Sequence, residues 1–307
     1  MDTNTKNDLD TSSFSNHKIL ALILLIVTTI LWGSSFIIAK QLTQEVPIFV
    51  YLSLRFIISL IGFVPFLIKM RNVNKEIIWM GIISGIIYYF AIAFQTYGLQ
   101  TTSAGKAAFI TGLATIMVPF FIWIFFKKNI VTKKIWIAAA LTIIGMGFLL
   151  LEGNENVLIG DILVLICAIF CAFFIIYNDK FVRIVDVYLY TIVQLFVIAL
   201  LCISSSLILN EGYDITNMSI NLWFIIIYMG FIVTFLTFIF TNWSQQHQEA
   251  SQTAIIFALE PVFAVIFASF LIGNEILSWQ TWLGCGLIFV AILITVVKND
   301  NLFIEEK

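Results

Sequence analysis

The chain has 307 residues, of which 61% are hydrophobic and 11% charged, with a net charge of −2 and a mean hydropathy of +1.04. Soluble domains carry about 25% charged residues, so this composition excludes an ordinary soluble protein and is typical of membrane proteins. A net charge so close to zero gives no indication of a nucleic-acid partner, and we expect none.

Apolar stretches of about twenty residues recur along the chain, and each is long enough for a helix to cross the hydrocarbon core of a bilayer. The stretches are continuous rather than alternating, which favours helices over the strands of a membrane barrel. We predict an all-α polytopic membrane protein with ten transmembrane helices. The predicted spans are Ile19–Ala39, Pro47–Ile68, Glu76–Gly98, Ala104–Phe126, Lys133–Leu151, Leu158–Asn178, Asp186–Leu209, Ile220–Trp243, Glu249–Ile272 and Trp279–Val297.

The first stretch, Ile19–Ala39, is longer than the apolar region of a signal peptide, which has about 7–15 residues. No small-x-small cleavage site follows it, so we interpret it as a retained first helix. The residues before it are polar, and Met1–Asn16 is predicted to be disordered. We expect residues 1–18 and 298–307 to be short polar tails in the cytoplasm.

The positive charges support this span count and set the orientation. With the N-terminus in the cytoplasm, thirteen of the 16 Lys and Arg residues fall on the inner side, Lys40 falls outside, and Arg55 and Lys106 lie within spans. Such an asymmetry follows the positive-inside rule and predicts a multi-pass inner-membrane protein with both termini cytoplasmic. The thirteen are Lys6, Lys18, Lys69, Arg71, Lys75, Lys127, Lys128, Lys133, Lys134, Lys180, Arg183, Lys298 and Lys307.

The two halves of the chain, residues 19–151 and 158–297, resemble each other. Five spans in each half is an odd number, so the second half enters the membrane in the opposite orientation. Two inverted repeats are typical of transporters, in which they enclose a central site and expose it to either side in turn. The similar segments are Ala104–Leu151 with Ser251–Val297, Trp32–Lys40 with Cys171–Asp179, and Tyr51–Arg55 with Tyr190–Gln194.

Several short motifs resemble those of the EamA family of the drug/metabolite transporter superfamily. No one motif is specific, but their order and spacing together are, and they cover nearly the whole chain. The turn Lys127-Lys128-Asn129 departs from the family pattern, in which a Gly-x-Glu turn is expected. The motifs are Trp32-Gly33-Ser34-Ser35-Phe36, Leu54-Arg55-Phe56, Thr102-Ser103-Ala104, Leu259-Glu260-Pro261, Gly273-Asn274-Glu275 and Gly284.

The resemblance implies ten helices in two inverted five-helix repeats, a central cavity, and transport of small organic solutes, often outward. The string Gly105-Lys106-Ala107-Ala108-Phe109 is similar to a bacterial subgroup related to amino-acid and metabolite exporters. We therefore expect a permease that exports a small amphipathic metabolite, such as an amino acid, by alternating access. An importer of a sugar or a cofactor precursor is the alternative.

Glu260 is the first candidate for a functional residue. It lies about 11 residues into its span, roughly 16 Å deep, where a charge costs on the order of 3 kcal/mol. Such a carboxyl group either accepts a proton, binds a solute amine, or pairs with a neighbouring donor. Pro261 follows it and leaves a backbone carbonyl without its usual partner, which predicts a helix break beside the carboxyl group.

Two other charges and a second proline belong to the candidate set. Lys106 lies about one turn inside the outer end of its span, where it either binds a solute carboxylate or anchors the helix. Arg55 is too deep to reach the surface freely and is predicted to be a structural charge paired with an acid or with carbonyl groups. Pro119 predicts a break in the fourth helix.

Polar and amphipathic side chains inside the spans predict a largely apolar cavity with scattered hydrogen-bonding groups, suited to an amphipathic solute. We expect Trp32, Ser34, Tyr88, Gln95, Tyr177 and Asn242 to contact the solute. Further members of the set are Ser35, Thr111, Asn178, Thr234, Thr237 and Thr241.

Other chemistry finds little support in the sequence. There is no Gly-rich phosphate loop, no Ser–His–Asp set and no metal-ligand spacing, so we expect no cofactor, metal or ATPase activity. A membrane-embedded enzyme would need clustered histidines or acids, and a sensory protein would not explain the duplicated halves. We expect a small-molecule solute and membrane lipid as partners, with proton coupling and a homodimer contact through small-residue motifs left open.

Overall fold

The computed structural model describes residues 4–66, 68, 73–126, 132–150, 158–272 and 279–296. Every regular element in these ranges is helical, which confirms the all-α prediction. The α-helices are α1 Asn4–Glu45, α2 Ile48–Ile61, α3 Lys75–Leu99, α4 Ala104–Gly112, α5 Ala114–Phe126, α6 Lys133–Leu150, α7 Ile159–Phe181, α8 Val187–Ile208, α9 Ile220–Ile227, α10 Thr237–Gln245, α11 Ala250–Phe257, α12 Glu260–Ile272 and α13 Trp279–Val296. A 3₁₀ turn covers Ile215–Asn217, and a π-helix covers Tyr228–Leu236.

Seven helical stretches of the described chain are long and apolar enough to cross a membrane. The predicted spans Pro47–Ile68 and Trp279–Val297 coincide with shorter apolar helices. Large apolar side chains lie on the outer surface, where lipid rather than water is the expected solvent. The multi-pass membrane class is therefore supported, while the count of ten spans stays a prediction. The seven stretches are Asn16–Glu45, Lys75–Leu99, Ala104–Phe125, Ile159–Phe181, Val187–Ile208, Ile220–Gln245 and Ala250–Ser269.

The first helix is longer at both ends than predicted. The disordered segment expected for Met1–Asn16 is wrong from Asn4 onward, because α1 begins there, and residues 1–3 lie outside the described ranges. Adding residues to an existing helix requires no new nucleation, so polar residues continue a helix that the apolar span has already formed. At its other end α1 runs on to Glu45, beyond the predicted Ala39.

Two predicted spans are each divided into two helices. The first is interrupted at Leu113, between α4 and α5, and the second at Ala258–Leu259, between α11 and α12. Pro119 lies inside α5, five residues beyond its first residue, so the predicted break at this proline is displaced to Leu113. Pro261 is the second residue of α12, where the missing N–H costs little because first-turn N–H groups have no partner within the helix.

The span from Ile220 to Gln245 changes helix type in its middle. A π-helix separates α9 from α10, and the Thr234 hydroxyl donates to the Met229 carbonyl five residues earlier, at 2.7 Å. Hydropathy predicts one continuous helix here, because an α-helix and a π-helix can have the same amino-acid composition. π-helical turns inside α-helices are frequent at functional sites.

Glycines allow two pairs of helices, each with one helix from either half of the chain, to approach closely. A Cβ atom on Gly85 of α3 would lie 2.9 Å from the carbonyl oxygen of Gln194 on α8. A Cβ atom on Gly230 of the π-helix would lie 2.7 Å from the carbonyl oxygen of Arg55 on α2. Gln194 and Arg55 occupy matching positions in the predicted alignment of the two halves.

We expect Gly230→Ala to lower the melting temperature of the purified protein, because its new Cβ atom would collide with the α2 backbone. Overpacking of this kind costs about 1–3 kcal/mol. Gly147→Ala and Gly286→Ala are matched controls, since no described atom lies within 4 Å of the added Cβ in either case. Melting of Gly230→Ala at the temperature of both controls would contradict the close contact.

Candidate functional site

A cavity lies where the two helix breaks face each other. Its volume, measured as the space open to the centres of water-sized molecules, is about 50 Å³. Both ends of the α4–α5 break and of the α11–α12 break contribute to it. The lining residues are Trp32, Ser35, Arg55, Tyr88, Ile92, Gln95, Thr111, Gly112, Ala114, Thr115, Cys171, Phe174, Ile175, Ala254, Phe257 and Glu260.

Aromatic rings form much of the cavity wall. The Trp32 and Phe257 ring centroids lie 4.9 Å apart, and those of Tyr88 and Phe174 lie 4.8 Å apart. The Trp32 indole N–H donates to the Thr237 hydroxyl at 3.0 Å, which fixes the orientation of the ring. The wall is therefore largely apolar, as expected for a site that holds an amphipathic solute.

Glu260 contributes a carboxyl group to this wall. It is the first residue of α12, and the residue as a whole is only 7% exposed. Among the described residues no hydrogen bond or ion pair involves its carboxyl oxygens. The partial positive charge of the α12 N-terminus favours a carboxylate here, but only part of the burial cost is offset in this way. The site is suited to binding a cation or a proton.

Arg55 contributes a guanidinium group to the same wall. The residue is 4% exposed, and its Nε donates to the Thr234 hydroxyl at 2.7 Å while Nη1 donates to the Tyr51 hydroxyl at 3.2 Å. In the described part of the chain it has no carboxylate partner within ion-pair distance. Arg55 was predicted to pair with an acid or with carbonyl groups, but its described partners are two hydroxyl groups. It also faces the cavity, which the sequence did not predict.

The structure brings four of the predicted solute contacts together. Trp32, Tyr88, Gln95 and Glu260 all line the cavity, and Gln95 Nε2 lies 3.4 Å from the Thr111 hydroxyl. The other four predicted contacts lie elsewhere. They are Lys106, Ser34, Tyr177 and Asn242. The functional role of each residue stays a prediction.

Lys106 is paired within the protein. Its Nζ lies 2.8 Å from Oδ2 of Asp161, at the N-terminus of α7. Asp161 also accepts from the Thr102 hydroxyl at 2.5 Å and from the Leu158 backbone N–H at 2.8 Å. Lys40 Nζ donates to the Thr102 carbonyl at 2.7 Å. This cluster joins α1, α4 and α7, so the geometry favours the anchoring alternative for Lys106 over a solute contact.

We expect Lys106→Met and Asp161→Asn to destabilise the protein non-additively, because each removes the charge partner of the other. Breaking a buried pair costs about 3–5 kcal/mol, and the value here is smaller because Lys106 is partly exposed. A double-mutant cycle on melting temperature measures the coupling. Additive effects would contradict the pairing, and selective loss of acidic solutes in Lys106→Met would restore the solute-contact alternative.

Asn242 belongs to a fully buried polar network between α3, α7, α8 and α10. The Asn178 Oδ1 atom accepts from Ser84 at 2.8 Å, from Tyr190 at 2.7 Å and from Gln194 at 3.0 Å. Asn242 bonds to Asn178, Gln194 and Thr191 at 2.7–2.8 Å. The network satisfies these polar groups internally and connects helices of both halves away from the cavity lining.

Ser34 and Tyr177 also have contacts of their own outside the cavity lining. The Ser34 hydroxyl bonds to the Tyr228 hydroxyl at 3.0 Å and donates to the Leu31 carbonyl at 2.8 Å. The Tyr177 ring packs against Phe181, with centroids 4.5 Å apart. Ser34 therefore links α1 to the π-helix, and Tyr177 packs along its own helix.

Sequence reasoning missed the apolar part of the cavity wall. Cys171, Phe174 and Ile175 line it from one face of α7, and they share the i, i+3, i+4 spacing of a helix face. Every face of this helix is apolar, so periodicity could not distinguish the cavity face from the lipid face. No group of three metal-ligating His, Cys, Asp or Glu side chains occurs among the residues that the structure describes.

Known proteins are similar to this chain in sequence and in fold. The EamA-like transporter family model matches residues 19–151 and 158–297. An uncharacterized transporter of Archaeoglobus fulgidus is 28% identical over 274 residues, which cover 89% of this chain and 85% of that protein. The uncharacterized transporter YyaM of Bacillus subtilis is 26% identical and covers 73% of this chain and 74% of its own.

One crystal structure shares the fold at a TM-score of 0.71, with 17% identity, over 90% of this chain and 96% of that one. Its likeness concerns the fold alone. The family match extends over both halves of the chain and confirms the resemblance identified from the motifs. The chain is a member of the EamA-like transporter family.

Proposed function

We propose that this membrane transporter exports an amino acid or a related small amphipathic metabolite by alternating access, with the cavity beside Glu260 as its solute site. The observation that carries the proposal is that Arg55 and Glu260, two ionisable groups of opposite sign, lie on one buried cavity wall, and neither has an oppositely charged partner among the described residues. Buried charges without partners are costly and are retained where a ligand completes them.

The chemistry of the wall favours an amino acid over an uncharged sugar. A sugar would satisfy hydrogen-bonding groups but would leave both Arg55 and Glu260 without a counter-charge. A solute that carries a positive and a negative group compensates both charges, while its apolar part packs against Trp32 and Phe257.

The size of the cavity supports a conformational change during transport. Its 50 Å³ of space for molecular centres holds only a few water molecules, since one water needs roughly 10–15 Å³ by this measure. A bound solute therefore requires the helix walls to separate. The breaks at Leu113 and Ala258–Leu259 provide backbone points at which α4–α5 and α11–α12 can bend.

The helix packing supports two inverted five-span repeats. When each span is exchanged with the span at the same place in the other half, packed helix pairs are exchanged with packed helix pairs. The contact of α3 with α7 then corresponds to that of α1 with α10, and the contact of α3 with α8 corresponds to that of α2 with the π-helix. The α6–α13 and α2–α8 pairs map onto themselves. The equivalent close contacts at Gly85 and Gly230 follow the same relation.

Glu260 is proposed to couple export to the proton gradient. Its carboxyl group has room for either a proton or the solute's amino group, but not for both at once. Proton entry would then displace the solute outward, and the free energy of the gradient would drive export. This competition needs no ATPase and no cofactor.

Transport into proteoliposomes tests the proposal. Purified protein is reconstituted, and radiolabelled leucine and glucose are supplied with and without an imposed pH gradient. We expect saturable leucine flux that follows the proton gradient and no flux of glucose above that of empty liposomes. Glucose flux without leucine flux would support the importer alternative and contradict the proposal.

A further inference from the structure

We propose that Arg55 and the Tyr88 hydroxyl bind the carboxylate of the solute while Glu260 binds its amino group, so that the cavity selects zwitterions. This inference rests on the proposed function and deepens it. It assigns a solute contact to Arg55, whose charge the sequence suggested to be purely structural.

The guanidinium group of Arg55 is held in place but not saturated. Thr234 and Tyr51 take one N–H from Nε and one from Nη1. A guanidinium group has five N–H donors, so three remain, and no further hydrogen bond engages them among the described residues. Both partners are neutral hydroxyls, which orient the group without neutralising it. Arg55 therefore presents a charged guanidinium group in a fixed orientation, and the planar arrangement of its N–H donors is suited to binding both oxygens of a carboxylate.

The Thr234 contact makes this orientation rigid. Thr234 accepts from Arg55 and donates its own proton to the Met229 carbonyl at 2.7 Å. The hydroxyl has only one proton, so the direction of both bonds is determined. The π-helix thereby holds Arg55 from one side, and Tyr51 holds it from its own helix one turn earlier.

The Tyr88 hydroxyl is a second donor on the same wall. Its ring packs against Phe174 and Phe238, with centroids 4.8 and 4.9 Å away, and the residue is 8% exposed. In the described ranges its hydroxyl makes no hydrogen bond. Tyr88 lines the same cavity as Arg55 and Glu260.

Arg55 and Glu260 do not neutralise each other directly. No ion pair within 4.0 Å joins them, although both line one cavity whose wall is otherwise aromatic or weakly polar. A zwitterion placed between them would pair its carboxylate with Arg55 and its amino group with Glu260. Neither half of that molecule alone would compensate both buried charges, so single-charge analogues should bind more weakly.

Binding measurements on the purified wild-type protein test this inference from the ligand side. The probes are leucine, leucinamide, which lacks the carboxylate charge, and 4-methylpentanoate, which lacks the amino group. We expect both analogues to bind at least about tenfold more weakly than leucine. Leucinamide affinity equal to that of leucine would overturn the role of Arg55, even if leucine transport itself were observed.

Variants test the same assignment from the protein side. Arg55→Gln should lower leucine affinity at least about tenfold while leaving leucinamide affinity within twofold of wild type, and Tyr88→Phe should lower leucine affinity severalfold. Tyr89→Phe is the matched control, because the Tyr89 hydroxyl bonds to Ser205 outside the cavity. Arg183→Gln is the second control, since Arg183 pairs with Asp179 in an exposed contact.

The outcomes separate this inference from the proposed function. Arg55→Lys retains the charge without the planar guanidinium group, so it should recover only part of the leucine affinity and should remain folded if Arg55→Gln does not. Equal loss of leucine and leucinamide binding in folded Arg55 variants would make Arg55 structural and overturn the inference. Absence of leucine binding by the wild type would overturn the proposed amino-acid substrate instead.

Discussion

Glu260→Gln is expected to reduce proton-driven leucine flux in proteoliposomes at least tenfold while the protein stays folded. Glutamine has nearly the shape of glutamic acid but cannot exchange a proton or carry a negative charge. The replacement therefore removes both proposed functions of the carboxyl group without enlarging the cavity. Since Glu260 has no described bonding partner that the change would disturb, melting temperature should stay the same or rise, because a buried charge is removed.

Glu249→Gln is the matched control for this variant. Glu249 directly precedes α11, at one end of the span that has Glu260 near its middle, and it is exposed to solvent. Its side chain lies outside the cavity lining and should be replaceable without loss of flux. Flux in Glu260→Gln that keeps the wild-type dependence on the pH gradient would exclude this carboxyl group as the coupling residue.

Asn178→Ala is expected to lower the free energy of unfolding by about 2–4 kcal/mol. The Asn178 side chain accepts three hydrogen bonds through one oxygen and donates another to Asn242, all in fully buried surroundings. Each buried polar group left without a partner costs about 1–3 kcal/mol, and rearrangement of the remaining members recovers part of the sum.

Denaturant unfolding in detergent measures this loss, with Ser204→Ala as control. The Ser204 hydroxyl donates only to the Leu200 carbonyl of its own helix, so its removal should have little effect. Leucine affinity of folded Asn178→Ala should remain close to wild type, because the network does not line the cavity. A stability equal to that of Ser204→Ala would mean that the network contributes no net stabilisation.

Hydropathy and charge predicted the membrane class and the positions of most helices, because the bilayer imposes both directly. The same cost argument identified Glu260: an acid deep within an apolar span must face protein or water, and it faces the cavity. Tyr88, Gln95 and Trp32 were also predicted to line a cavity, since amphipathic groups within spans turn away from lipid.

Some residues that were predicted to contact the solute lie outside the cavity, because hydropathy carries no information about which side chains meet between helices. Lys106 and Asn242 are polar groups within spans like Gln95, but each meets a polar partner on a neighbouring helix instead of the cavity. Whether such a group lines the cavity or meets a polar partner depends on how its helix is rotated about its own axis. It also depends on residues 50 or more positions away in the chain, such as Asp161 and Asn178. When a span is apolar on every face, its sequence does not show which face of the helix points toward the cavity.

The helix breaks were predicted in the correct spans, but the position of the first break was wrong. Proline removes a hydrogen bond wherever it stands, yet α5 continues through Pro119 and the interruption falls at Leu113. The interruptions lie beside the cavity, because Gly112 and Ala114 flank Leu113 and line it, as do Phe257 and Glu260 on either side of Ala258–Leu259. The contact between Arg55 and the Thr234 hydroxyl joins residues 179 positions apart, so the sequence alone did not show it.

Labelling of Cys171 tests the central claim that this cavity is the solute pathway. Cys171 lines the cavity, and Cys167, Cys202 and Cys285 are replaced by alanine so that one thiol remains. A membrane-impermeant thiol reagent is then applied to either face of oriented vesicles. We expect Cys171 to react from both faces in turn and leucine to slow the reaction from each. A thiol that reacts from neither face, or at a rate that leucine does not change, would contradict a solute pathway through the cavity.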